Sequence, residues 1–427
     1  MTSEARSLFV WFWLPRATEP VVAGRLDRAG AALFDRQPVL MFTYARSYLR
    51  RQDAISLFPL ELPLAAGSAV PTLPRRESGW PERSPVPLAG CLRDAAPDAW
   101  GRRVINRQLG SDADVELGEA TYLLRSDSDR VGALDFQSSS SAYVARGEPA
   151  SLEQLLAFSD LVEAGERIPA SLTAAAGHGT SIGGARPKAM LEHEGRPSIA
   201  KFSSSTDTRP IVKAEAVGML LARRVGIDVP PVKVVRAVGK DVLLVERFDR
   251  GEGGTRRHML SALTVLGLRE IESRYASYAD LAQVIRLSNW WHDAGRTLRE
   301  LFTRLVFNIC IGNTDDHLRN HAVFWDGRAL RLTPAYDLCP QPRTTSVASH
   351  AIQITRGQNA SQLRLARAVA ADFGIPPREA DDVIDRVLST IREAWREACD
   401  EATLSQAERD LFWEREILNP YIFYDLP

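Results

Sequence analysis

No stretch of these 427 residues is apolar for long enough to cross a bilayer, so a membrane-spanning role is not expected. The opening run M-T-S-E-A-R-S-L-F-V-W-F-W-L-P is too short and too aromatic for a secretory signal, and no small-residue cleavage site follows it. Phe9, Trp11 and Trp13 alternate there with Val10 and Phe12, as in a buried opening strand. Cysteine is scarce. Cys91, Cys310, Cys339 and Cys399 are scattered and form no C-x-x-C pair, which argues against zinc ligation and against a disulfide framework. A reducing, cytoplasmic setting is the simplest expectation. Basic excess is also missing: the net charge is −1, unlike that of a dedicated nucleic-acid binder. Repeats at solenoid periods are absent. What remains is an ordinary globular composition, 45% hydrophobic and 25% charged, long enough for two or three lobes.

The local patterns divide the chain. Residues 1–68 mix short strand-like runs with turns. Val70 to Pro87 holds five prolines and reads as a linker. Residues 91–109 look helical after Pro97, which suits a first turn with Asp94 or Ala96 near the cap. Ser138 to Ser141 reads as a loop. Ala189–Leu191 and Ser198–Phe202 flank a hairpin with Gly195 in its turn. Lys213 to Gly226 has helical spacing at Val217, Leu220, Leu221 and Val225, with Gly226 as the stop. Val232–Val235 and Val242–Val245 are two further strands around A-V-G-K. Leu298–Ile311 and Arg378–Ala402 are the clearest helices of a mostly helical C-terminal part. This is an α+β layout of the bilobed protein-kinase-like kind: a small sheet-rich lobe, residues 146–250, and a larger helical lobe, residues 251–427. An N-terminal α/β subdomain, residues 1–145, precedes them.

The chemistry concentrates between Ile311 and Asp337, in I-G-N-T-D-D-H-L-R-N-H followed by a hairpin-length interval and P-A-Y-D-L. Gly312 ends a helix, which leaves T-D-D-H-L-R-N on a loop. Asp315 is placed to take a proton from a hydroxyl. Asn320 and Asp337 carry the hard oxygen ligands that Mg²⁺ requires. Asp315 and Asp316 are adjacent and cannot serve the same proton, so only one is the base, and the role of Asp316 is left open. His317 and His321 lie four apart but lack the companions of a zinc site. Upstream, G-H-G-T-S-I-G-G-A-R-P-K is glycine-rich, neither a Walker A motif nor G-x-G-x-x-G, and by itself reads as a surface loop or as a loop whose backbone approaches phosphates. Lys201, ending the strand S-I-A-K-F, occupies the position of a lysine that binds α and β phosphates, with Glu215 as its natural ion-pair partner. The strand end Glu246-Arg247-Phe248 falls where backbone groups read adenine in an interlobe hinge.

Taken together, D-R-V-G-A-L-D-F, S-I-G-G-A-R-P-K, I-A-K-F, L-L-V-E-R-F-D-R, T-D-D-H-L-R-N and P-A-Y-D-L resemble the HipA family, the serine/threonine-kinase toxins of bacterial type II toxin–antitoxin modules. Order and spacing agree from about residue 5 to residue 400. The resemblance implies ATP and Mg²⁺ as cofactors and Asp315 as the catalytic base, with Asn320 and Asp337 on the metal. It implies nucleotide contacts from Gly183, Gly184, Ala185, Arg186, Pro187, Lys188, Lys201, Glu246, Arg247, Phe248, His317, Leu318, Arg319, Asn320, Tyr336 and Asp337. It also implies that Ser181 is autophosphorylated and that the kinase is thereby silenced, since about two negative charges beside the ATP phosphates repel them. The chain departs from the family at Pro187, where other members commonly carry an acidic residue. The implied partners are a small DNA-binding, HipB-like antitoxin, with DNA met only through it, and a protein substrate such as an aminoacyl-tRNA synthetase. Two other readings fit fewer features: a small-molecule kinase of the aminoglycoside-phosphotransferase kind, and a catalytically weak corepressor that acts through an antitoxin.

Overall fold

The computed structural model describes residues 7–34, 37–69, 86–111, 115–148, 150–166, 168–180, 186–204, 207–343 and 345–425. Most of the proline-rich linker therefore lies outside the described residues. The chain divides into two compact units. The first comprises residues 1–205, 247–260 and 324–328, and the second residues 206–246, 261–323 and 329–427.

The first unit is built on a five-stranded sheet. Its strands are β1 (Ser7–Phe12), β2 (Val21–Phe34), β3 (Gln37–Tyr44), β4 (Ser68–Ala69) and β5 (Leu134–Gln137), in the order β4-β3-β2-β1-β5. Each pairing is antiparallel. The expected opening strand is β1, with Val10 and Phe12 fully buried. Helix α1 spans Ala99–Gln108. Here the structure corrects the sequence reading. Pro97 does not enter the first turn. Asp98 is the cap, extended, and its carbonyl accepts the Arg102 N–H at 2.8 Å. A proline also disfavours helical geometry in the residue before it, so Ala96 cannot serve as the helix start. Helix α2, Leu152–Ala164, follows. Then β6 (Lys188–His193) and β7 (Arg196–Phe202) form the expected hairpin. Both central residues of its turn, Glu194 and Gly195, have positive φ, as a type I′ turn requires.

Two motifs far apart in sequence meet inside this unit. Arg247 and Arg250 both bind Asp249 and Asp129, and the Gly132 N–H donates to Asp249 at 2.7 Å. Arg130, fully buried, pairs with Asp135 at 2.9 Å. These are the charged residues of D-R-V-G-A-L-D-F and, Glu246 excepted, of E-R-F-D-R. They hold the chain together from within, because each buried charge has an opposite partner.

The second unit carries helix α3 (Ile211–Val225), the hairpin of β8 (Val232–Ala237) and β9 (Lys240–Glu246), and helices α4 (Tyr278–Leu287) and α5 (Ala294–Ile311). Two short strands, β10 (Ala322–Trp325), whose last two residues are counted in the first unit, and β11 (Leu330–Leu332), fill the interval between the acidic loop and Asp337. Helix α6, Pro377–Glu401, packs on α3 and α5. One apolar core unites these helices, with Phe302, Leu305, Val306, Ile309 and Ile311 of α5 at its centre. Gly226 and Gly312 close α3 and α5 in the left-handed conformation. All four cysteines are free and buried. No described helix is long and apolar enough to cross a membrane.

Candidate active site

In the second unit, α5 delivers the acidic loop. Its last turn is anchored in the core, and Gly312 reverses the chain at φ +69°. A Cβ at Gly312 would stand 2.5 Å from the Glu416 carbonyl, so no larger residue fits. Beyond it, Asp315 faces outward and Asp316 is buried. The two adjacent carboxylates therefore have separate surroundings. The Asn320 amide donates to the Asp315 carbonyl at 3.2 Å and closes the loop across five residues.

The pKa of Asp315 is raised. Partial desolvation is the main cause, opposed by His317 and reinforced by the charges of Asp337 and Asp316. A carboxylate with a raised pKa is a stronger base. The same effect ties Asp337 electrostatically to Asp315. Asp337 sits at φ +55°, a conformation uncommon outside glycine. Its carbonyl accepts from the Asn313 amide at 3.2 Å. Next to it, the Tyr336 hydroxyl donates to the Arg319 carbonyl at 2.5 Å, which fastens P-A-Y-D-L to the acidic loop. Asp315, Asn320, Tyr336 and Asp337 are thus brought together in the second unit.

The other loop residues differ in what they can offer. Leu318 is fully buried in the core of the unit, so only its backbone can line a site. The Arg319 side chain pairs with Glu270 at 2.7 Å. His317 Nδ1 is buried with no hydrogen-bond partner, leaving a polar group available to a ligand.

Among the described residues, no three His, Cys, Asp or Glu side chains gather into a metal cage. Mg²⁺ does not need one: it commonly takes one or two carboxylates together with phosphate and water oxygens. The donor set fits that habit. The Asn320 amide nitrogen is committed to Asp315, and its oxygen remains as a hard ligand. Asp337 and Asp315 share a negative field that a cation would relieve.

In the first unit, the register of the β6–β7 hairpin places Lys188 directly opposite Lys201. Directly paired residues project from the same face. Trp100 Nε1 donates to the Lys188 carbonyl at 3.1 Å and fixes the start of β6. Arg186 is exposed and Pro187 buried. Ser181, Gly183, Gly184 and Ala185 lie outside the described residues. Arg247 is largely committed elsewhere. Its guanidinium is in the ion-pair cluster and its N–H donates to the Pro197 carbonyl at 2.9 Å, so its carbonyl is what it could present to a base. The Phe248 ring packs edge-on against Phe324, at 6.1 Å between centroids. Glu215 is buried on α3 in the second unit, and Glu246 ends β9.

Sequence reasoning left one group without a role. Asp316 accepts hydrogen bonds from Tyr278 and from His321 at 2.8 Å, and His350 lies nearby. The available signal was the Asp-Asp doublet itself, since two adjacent carboxylates need two functions.

Comparison with known proteins bears on the whole arrangement. Residues 180–395 match the model of the HipA-like C-terminal domain. Y4mE, a Sinorhizobium fredii protein named as a kinase, is 26% identical over 336 residues, covering 71% of this chain and 73% of its own. The serine/threonine-protein kinase toxin HipA of Shewanella oneidensis is 26% identical over 184 residues, covering 37% and 42%. The structure of Shewanella oneidensis HipA, solved with HipB and operator DNA, superposes with TM-score 0.66 at 19% identity, over 92% of this chain and 94% of that one. That likeness is one of fold, an α+β protein-kinase-like fold.

Proposed function

This chain belongs to the HipA family, and from that membership we propose that it is an ATP- and Mg²⁺-dependent serine/threonine protein kinase, the toxin of a toxin–antitoxin pair. The observation that carries the reading is the acidic loop. An outward Asp315 of raised basicity stands beside Asn320 and Asp337, in the order that phosphoryl transfer to a hydroxyl needs.

Asp315 accepts the proton of the attacking serine or threonine hydroxyl as the γ-phosphate is transferred. Asn320 and Asp337 hold Mg²⁺, which when bound neutralises charge on the phosphates. Lys201 supplies positive charge for the phosphate oxygens, and Gly183 to Lys188 form the nucleotide loop. The Glu246–Phe248 segment contacts the adenine, and His317 and Tyr336 border the nucleotide. The protein works in the cytoplasm. Its antitoxin is a small HipB-like DNA-binding protein, in line with the HipB complex of the Shewanella relative. The substrate class is a translation protein such as an aminoacyl-tRNA synthetase, and Ser181 is the autophosphorylation site that silences the enzyme.

The direct test is transfer of labelled γ-phosphate from ATP to protein, with and without a Mg²⁺ chelator, for the parent and for Asp315→Ala. Loss of the general base is expected to cost about 10²- to 10⁴-fold in rate. Equal transfer by Asp315→Ala would overturn the assignment. Transfer to aminoglycosides or sugars and not to protein would favour a small-molecule kinase instead. The sheet of the first unit, which a small substrate does not call for, speaks against that outcome.

A further inference from the structure

Resting on the kinase reading, we propose that Asp316 is a positioning residue, whose buried carboxylate sets the catalytic loop by gripping three separate segments of the second unit. Asp316 is 1% exposed. One carboxylate oxygen receives the Tyr278 hydroxyl, from the start of α4. The other lies 2.8 Å from His321 Nε2. A carboxylate only accepts, so Nε2 carries the proton. His350 Nδ1 is 3.8 Å away, too far for a hydrogen bond, and its Nε2 is 3.2 Å from Ser361. Tyr278, His321, His350 and Ser361 are themselves buried.

The backbone repeats the grip. Ala351 N–H donates to the Thr314 carbonyl at 2.9 Å, and Ile352 N–H to the Asp316 carbonyl at 3.3 Å. The network then reaches the metal-binding residues. Asn308 of α5 donates to Tyr278, Asn313 donates to Asn308, and Asn313 also donates to the Asp337 carbonyl. His321 directly follows Asn320. The Asp316–His321 bond therefore spans the ligand Asn320, while Asp316 itself is the next residue after the base. With Asp316 drawn inward, Asp315 is left facing out, and Asn320 is clipped between two fixed points. Asp316 touches no reacting atom; it acts through Asp315 and Asn320. Burial disfavours its charge, but His321 and His350 outweigh this and hold its pKa well below the usual carboxylate range.

The test uses the full chain with Asp316→Asn and, as a milder variant, Tyr278→Phe, which removes one hydroxyl and keeps the ring. Steady-state phosphate transfer and thermal unfolding are measured for each, below its melting temperature. Misplacement of the base by a fraction of an ångström is expected to lower kcat about 10- to 100-fold with the KM for ATP within about twofold of the parent. A role in stability alone would lower the melting temperature and leave kcat at the parental value; that result, in an active parent, overturns this inference and leaves the kinase reading intact. If Asp316→Asn does not fold, Tyr278→Phe decides the matter by the same split between kcat and KM. A parent that transfers no phosphate overturns the kinase reading, and this inference falls with it.

Discussion

At the scale of single residues, small side chains and buried charges decide where the functional groups stand. Gly218, inside α3, is a case in point. A Cβ there would lie 1.9 Å from the carbonyl of Leu338, the residue after Asp337. Helix α3 thus approaches the backbone beside Asp337, the proposed metal ligand, so closely that only glycine fits. Gly218→Ala is expected to destabilise the chain by about 1–3 kcal/mol, read by urea unfolding, and to weaken catalysis by moving Asp337. Unchanged stability would mean that the contact relaxes without cost. Lys201 is a second case. Its replacement by alanine should raise the KM for ATP about tenfold or more, since one lost ionic contact of 1.4 kcal/mol corresponds to a factor of ten. Nucleotide titration checks it, and an unaltered KM would remove Lys201 from the site. The proposed roles of Asp315, Asn320 and Asp337 rest on spacing, because phosphoryl transfer demands those residue types in that order. The close approach at Gly218 and the neighbours of Asp316 could not. Tyr278 and His350 lie 38 and 34 residues from Asp316, and nothing local marks them.

At the scale of elements, periodicity was a good guide. The hairpins β6–β7 and β8–β9 and the helices α3, α5 and α6 fall where apolar spacing and turn residues place them. Boundaries were less legible: α3 begins at Ile211 and α5 at Ala294, ahead of their most periodic residues. The β8–β9 turn contains a local conflict. Val238 takes φ +49° next to Gly239 at φ +75°, yet a β-branched residue is strained there. Val238 is also largely exposed. Val238→Asn should stabilise the fold by roughly 1 kcal/mol, the cost of the left-handed conformation, and a thermal melt would show it. In the first unit the Asp249 cluster ties together segments 117 residues apart. Burial alone would raise the pKa of Asp249, but Arg247 and Arg250 pull it far below the usual range. A depressed carboxylate stabilises the fold above its unfolded pKa of about 4 and loses that contribution as pH falls toward the folded value. Asp249→Asn leaves two buried guanidinium groups short of a partner. It should cost about 3–5 kcal/mol at neutral pH, and its stability should fall less steeply below pH 4. Parallel acid titrations of parent and variant would contradict this.

At the scale of the whole molecule, the residues of the proposed function fall in both units: Lys188 and Lys201 in the first, and Asp315, Asn320 and Asp337 in the second. The resemblance of the sequence to the HipA family anticipated this fold. Its several motifs are modest one by one but are held in a fixed order over most of the chain. What each motif does structurally was not equally visible, because E-R-F-D-R and D-R-V-G-A-L-D-F bind each other as well as lying near a proposed nucleotide contact. The proposed reaction is transfer of the γ-phosphate of ATP to a hydroxyl at the acidic loop. The most direct measurement is the intact mass of the purified chain before and after incubation with ATP and Mg²⁺, for the parent and for Asp315→Ala. One added phosphate is expected on the parent, located on Ser181, and none on the variant. A parent first stripped of phosphate whose mass does not change, or a variant that gains the same phosphate, would contradict it.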